Sequence, residues 1–198
     1  MIKRLFLLTI LSGSLLGVAL GGLWGCAYSM GTEGRRLPDG YQLVSVPVFK
    51  NSTQEVGVEV PFTNAIIREF ARSRVAKVVD TSAAQVILEG YIEKISFDVA
   101  NQINCPAEPC PIIPKNTVLN SEYRISVFTK LVLRRASDGH VLWAQQFSGQ
   151  KSYLAPKIGV EGLNSANALY NQSSRQQNLT EMAGDIMAEA HGRLTENF

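Results

Sequence analysis

Tyr123 to Arg135, with the turn that follows it, constrains the fold of this chain more than any other stretch. Tyr123, Ile125, Val127, Leu131 and Leu133 fall on one side of a two-residue period; Arg124, Ser126, Phe128, Lys130, Val132 and Arg134 fall on the other. Side chains of an extended chain alternate between faces, so the pattern predicts a strand with one buried row. Ser137-Asp138-Gly139 supplies residues that tolerate positive φ, and Val141 to Phe147 then returns as an antiparallel partner. A hairpin with one apolar face needs a covering layer. The end of the chain offers one: Leu179, Met182, Ala183, Ile186, Met187, Ala190 and Leu194 recur at three- and four-residue steps, the stripe of a helix that packs on a sheet.

Earlier segments extend the same plan. In Tyr41 to Phe49, Val44, Val46 and Val48 alternate with Leu43, Ser45 and Pro47, a strand signal, and Pro47 leaves a free edge because it has no N–H. After a turn at Asn51-Ser52-Thr53, the residues Val58, Phe62, Ile66, Ile67 and Phe70 take helical spacing. Pro61 is compatible with a first turn only, so the helix starts near Glu59 or Val60. A helix between two strands implies a crossover and a parallel pair. Val78 and Val79 add a short edge strand. Val86 to Val99 forms a longer one, with Ile87, Tyr91, Ile95, Phe97 and Val99 as its apolar row. Residues 101–116 and 149–162 read as loops. The expected fold is α+β, two helices packed on one face of a mixed four- to five-stranded sheet in the order β-α-β-β-β-α. The uncovered face would then carry cations mixed with apolar groups.

The chain begins with Lys3 and Arg4, an apolar stretch from Leu5 to Leu20, and Leu23-Trp24-Gly25-Cys26, the layout of a secretory signal with a lipoprotein cleavage site. Residues 1–25 are read as signal peptide, 26–40 as a lipidated tether and 41–198 as one α+β domain, with Cys26 the lipidated residue. An uncleaved anchor is the alternative, since Leu5 to Gly25, 21 residues, is long enough to span a bilayer. Ala27 follows the cysteine, where aspartate tends to retain lipoproteins at an inner membrane, so an outer membrane is the expected address. Removing Lys3 and Arg4 leaves 17 basic residues against 17 acidic ones, a neutral chain with no electrostatic case for nucleic acid.

Of the 3 cysteines, Cys105 and Cys110 remain as an even pair in a proline-rich loop. Export would place them in an oxidising compartment, and a disulfide there contributes roughly 2 kcal/mol by the chain-entropy estimate. A lone pair with 2 histidines in the whole chain does not make a zinc shell. His140 beside the hairpin turn and His191 on the last helix read as ordinary surface residues. Ser148-Gly149-Gln150-Lys151 matches a serine–lysine pattern without its companion elements. There is no glycine-rich phosphate cradle and no carboxylate pair that stands apart. Neither an enzyme nor a cofactor is expected, and no metal site.

Three stretches resemble a known family, the lipopolysaccharide-assembly lipoproteins called LptE, formerly RlpB. They are Cys26-Ala27-Tyr28, with Ala27 a departure from the family's glycine; Val44 to Asn51 running on through Thr53, Glu55, Gly57 and Glu59 to Thr63-Asn64-Ala65-Ile66; and Ala83 to Gly90. The likeness is good from 26 to about 98, rests on element order beyond, and does not include the Cys105–Cys110 loop. It implies a lipoprotein of the outer membrane that sits inside a large β-barrel partner, LptD, supports its assembly, and binds lipopolysaccharide on its way to the outer leaflet. Lys130, Arg134 and Arg135 are the candidates for contact with lipid phosphates through charge-assisted hydrogen bonds. A stand-alone envelope carrier of a lipid or peptide is the alternative reading.

Overall fold

Three long strands and two helices account for most of the described residues in a computed structural model that describes residues 34–104, 118–154 and 168–196. The strands are β1 (Leu43–Ser45), β2 (Lys50–Asn51), β3 (Lys77–Val78), β4 (Val86–Asn104), β5 (Val118–Arg135) and β6 (Val141–Leu154); the helices are α1 (Glu59–Ser73) and α2 (Ala168–Thr195). They form one mixed sheet in the order β3-β1-β4-β5-β6, with β2 also on β4. β1 runs parallel to both β3 and β4, as the intervening α1 requires, and β4, β5 and β6 are successively antiparallel. The class and order are those the sequence predicts. The sheet has six strands because the first expected strand is divided.

That division centres on Pro47. The chain advances six residues from Val44 to Lys50 while β4 advances five between their partners Val86 and Tyr91. One surplus residue reverses the parity of everything after it. Val44 is buried as expected, but Val48 is 66 % exposed and Phe49 takes the inward place at 3 %. The row read as Val44, Val46, Val48 therefore holds for buried Val44 and partly buried Val46, and is corrected after Pro47, where Phe49 replaces Val48.

β4 shows the same effect. Its inward residues are Val86, Leu88, Gly90 and Ile92, not Ile87 and Tyr91. A register shift between Ile92 and Lys94 then exchanges the faces, so Ile95 and Phe97 do pack on the core. β4 also runs on through Asn101–Asn104 and β6 through Gly149–Leu154, both expected to be loop. Cross-strand pairing carries these polar residues: Gln102 Nε2 donates to Asn120 Oδ1 at 3.0 Å.

On the covered side, Ile125, Val127, Leu131 and Leu133 of β5 meet Phe62, Ile66 and Phe70 of α1 and Met187 and Leu194 of α2. Pro61 lies in α1's first turn, and α1 ends at Arg74, left-handed at φ 56°, whose N–H donates to the Phe70 carbonyl. α2 lies close over β6 at Gly149, where a Cβ would come within 2.8 Å of Ile186 Cδ1. Farther along, the Arg175 guanidinium stacks 3.7 Å from the Phe97 ring and donates to Glu55 at 2.7 Å. The domain takes in part of the expected tether: Leu37 is buried in the core, and a short turn at Pro38–Gly40 follows it. No helix among the described residues is long and apolar enough to cross a membrane.

Candidate functional site

With both helices on one side, the other side of β4, β5 and β6 is open. The cross-strand register sets its rows: Glu89, Val132 and Ala144; Tyr91, Lys130 and Gln146; Lys94, Phe128 and Ser148; Asp98, Arg124 and Ser152. Opposed side chains on one face lie about 5 Å apart, so these rows are neighbours in contact range.

Glu89 organises one end. Tyr91 Oη donates to its carboxylate at 2.9 Å, Arg134 Nε donates at 3.1 Å, and Lys50 Nζ stands 3.9 Å away. Burial pushes the Glu89 carboxyl up, but the bonds from Tyr91 and Arg134 and the nearby cations outweigh it and hold it below the usual carboxylate value. Arg134 also donates to the Gly139 carbonyl at 3.2 Å, and Lys50 Nζ donates to Tyr91 Oη at 3.4 Å. Two of the cations on this face are therefore already answered.

Lys130 is different, as are Lys94 and Arg124 on the same face, which likewise make no ion pair among the described residues. Lys130 lies one row away, between Tyr91 and Gln146, and makes no ion pair among the described residues. Phe128, 40 % exposed, sits two residues before it beside a shallow cavity of about 540 Å³ at the β4 register shift, bordered also by Glu93, Lys94, Gln146 and Ser148. An unpaired ammonium beside an exposed aromatic and a depression can accept an anion with an apolar body attached.

The candidate cations are thus only partly assembled. Lys130 and Arg134 share the open face about 13 Å apart along the strand. Arg135, the adjacent residue, points the other way: it donates to Tyr41 Oη at 2.9 Å and to Asp138 at 2.9 Å, and lies 3.6 Å from Asp39. The Tyr41 and Asp138 contacts raise its pKa. A second cavity of about 450 Å³, lined by Tyr41, Gln85 and Arg135, opens there, but two carboxylates already answer its one cation. Cys26, Cys105 and Cys110 lie outside the described residues.

Lys50 and Glu89 lie in stretches that resemble the LptE family and Tyr91 in a predicted strand row, but no sequence signal brings the three together. His191 is a correction: instead of a surface residue, it is 3 % exposed. Its Nε2 is 2.9 Å from Ser73 Oγ, and its ring meets Phe70 edge-on at 5.0 Å, joining α2 to α1. It belongs to the same stripe as Met187, Ala190 and Leu194, which is the signal that could have found it. Among the described residues there is no group of three His, Cys, Asp or Glu side chains that could hold a metal ion.

A sequence profile described as LptE, lipopolysaccharide-assembly, matches residues 41–193, more than three quarters of the chain. No curated protein sequence matches. Among solved structures, the PelC dodecamer protein of Paraburkholderia phytofirmans is similar at 14 % identity and TM-score 0.46, covering 83 % of this chain and 94 % of that one. Rare lipoprotein B of Shewanella oneidensis is similar at 17 % identity and TM-score 0.39, covering 77 % and 90 %. A putative lipoprotein of Caulobacter crescentus is similar at 9 % identity and TM-score 0.45, covering 75 % and 88 %.

Proposed function

The chain belongs to the LptE lipopolysaccharide-assembly family, and from that premise we propose that it is an outer-membrane lipoprotein, lipidated on Cys26, that joins an LptD-type β-barrel, supports its assembly and binds lipopolysaccharide as the barrel delivers it to the outer leaflet. The role is binding and assembly rather than catalysis. The observation that carries this reading is the family match across nearly the whole domain, residues 41–193. The polar lumen of a large barrel suits a compact domain of this kind, whose surface need not face lipid tails.

Within that reading, Lys130 is the cation for a lipid phosphate, because Arg134 is held by Glu89 and Arg135 by Asp138 and Asp39. Phe128 offers an apolar surface beside it. Arg134 acts at one remove, keeping Glu89 from drawing Lys130 away.

The test has two parts. The protein, extracted from membranes in mild detergent, should bring a large β-barrel with it. Lys130→Glu should stay folded and keep the barrel, since such an association spreads over far more surface than one side chain. It should bind purified lipopolysaccharide at least tenfold more weakly, the loss of one charge-assisted contact worth roughly 1.5–3 kcal/mol. Absence of any barrel partner would end the assembly reading and leave a stand-alone carrier. Unchanged lipid binding by Lys130→Glu would remove Lys130 from the site.

A further inference from the structure

Both helices finish, and the chain enters the fold, at one end of the domain. Leu43 opens β1 level with Lys77 of β3, Val44 lies level with Val86 of β4, and Val86 faces Arg135 at the close of β5. α1 ends there at Ser73, and His191 near the end of α2 stands 2.9 Å from Ser73 Oγ. Leu37 is buried in the core, Asp39 lies 3.6 Å from Arg135, and the charges of Arg35 and Arg72 both act on His191.

This end is basic. Arg35, Arg36, Arg74 and Lys77 are exposed on it, and none of them makes an ion pair among the described residues. Most carboxylates nearby are already answered: Asp39 and Asp138 by Arg135, Glu69 by Arg72, and Glu189 by Arg193. Asp80 and Glu196 have no ion pair among the described residues, which leaves the cations in excess. Basic residues that complement a helix C-terminus lie in its last turn, as Arg72 and Arg193 do. Arg35, Arg36 and Lys77 belong to neither helix, so that account does not cover them.

We propose that this basic end is a docking surface for anionic phospholipid headgroups, those of the leaflet in which the lipid on Cys26 is seated. The proposal rests on the reading of Cys26 as the lipidated residue, and chain length brings the surface within reach of that leaflet. Gly34 stands eight positions after Cys26, so an extended chain carries it no more than about 28 Å from the lipid. Tethering at that range keeps the cations at high effective concentration beside the headgroups. Each Lys or Arg near an anionic surface adds about fivefold to the attraction. A lipid on a tether fixes where the domain is but not how it is turned. The cations supply the orientation, setting the Asp138-Gly139 hairpin toward the membrane and the far ends of β4 and β6 away from it. A barrel closed around the sheet leaves this end at its mouth, level with the headgroups. Lys130 and Phe128 lie farther along β5, so the surface is separate from the lipid-phosphate site.

The experiment uses the full chain purified from membranes, with a fluorescent residue at position 71, an exposed site in the last turn of α1. It is reconstituted in vesicles of phosphatidylcholine alone, or of phosphatidylcholine with phosphatidylglycerol, each carrying a headgroup-nitroxide lipid as quencher. Quenching should appear with the anionic vesicles, be weak with the neutral ones, and vanish near 1 M salt, where the screening length falls to about 3 Å. The pair Arg36→Gln with Lys77→Gln should lower the docked-to-free ratio roughly 25-fold, about fivefold for each charge. The pair Arg36→Lys with Lys77→Arg keeps both charges and should keep the quenching. All variants should share one urea midpoint. Equal quenching on neutral and anionic vesicles, or quenching indifferent to the glutamine pair, would overturn the surface. Loss of a co-purifying barrel in the glutamine pair, with quenching unchanged, would assign these cations to a protein rim and overturn the choice of occupant. The anchor is read separately, by sedimentation with neutral vesicles. A chain that stays in solution there yet sediments with anionic vesicles would remove the lipid on Cys26 and keep the docking surface.

Discussion

Gly90 offers a sharp test of how β4 meets the rest of the domain. It lies mid-strand on the helix-covered face, and its φ is not one that demands glycine. What excludes a side chain is Phe49. A Cβ at Gly90 would stand 2.3 to 2.4 Å from three atoms of the Phe49 ring, against about 3.5–4.0 Å for ordinary carbon contact. The ring would have to retreat by more than 1 Å. Phe49 is 3 % exposed and its N–H is held by Thr63 Oγ1 at 3.0 Å, so it has nowhere to go. Overpacking of this kind costs about 1–3 kcal/mol. Gly→Ala returns about 0.4–1 kcal/mol by restricting the unfolded chain. Gly90→Ala should therefore lose on the order of 1–2 kcal/mol, read as a lower urea midpoint with the same slope. The control is Phe49→Ala, which alone should cost about 3–5 kcal/mol. In that background Gly90→Ala should cost nothing or stabilise, a coupling of at least about 1 kcal/mol between contacting residues. Equal cost with and without Phe49 would falsify the packing argument.

Three other expectations follow from particular residues. Burial lowers the His191 pKa, with the charges of Arg35 and Arg72 acting in the same direction and Glu69 against them; the fold therefore favours the neutral ring, and stability present above the unfolded value of about 6.5 is lost as pH falls below it. Urea midpoints should drop between pH 7.5 and 5, and His191→Gln should flatten that dependence; a wild-type midpoint that does not move would contradict it. Non-reduced mass spectrometry of protein taken from the envelope should find Cys105 joined to Cys110, and two freely alkylated thiols would exclude the bridge. Cys26→Ala should abolish acylation and leave the precursor uncut by the lipoprotein signal peptidase, whereas a mature, unlipidated wild-type protein would remove the anchor from the account.

How far the fold was legible depended on whether a strand kept its parity. From Tyr123 to Leu133, β5 pairs with β6 without a break, so its alternating pattern mapped directly onto buried Ile125, Val127, Leu131 and Leu133. The turn was equally local, with Gly139 at φ 71°. The positions that misled, Val48 in one row and Ile87 with Tyr91 in the other, were shaped by decisions made elsewhere. One surplus residue between Val44 and Lys50, and one shift at Ile92/Lys94, appear only when the partner strand is known. Polar extensions such as Asn101 to Asn104 leave no apolar signal at all.

The candidate site inherits the same division. That Lys130 and Arg134 share a face follows from β5 alone. Which of them is available does not, because it turns on Glu89, which reaches Arg134 from β4 across 45 positions of chain. Glu89 stands on the open face only because β4 buries Val86, Leu88, Gly90 and Ile92; with the opposite parity it would point into the helices. Burial of an unpaired carboxylate there would cost several kcal/mol, so its outward position is as strongly determined as the core row itself. The β4 register that hides Leu88 thus also occupies Arg134 and leaves Lys130, like Lys94 and Arg124, without an ion pair among the described residues. Slipping β4 by one residue would turn Glu89 inward and release Arg134 without changing any residue of the site.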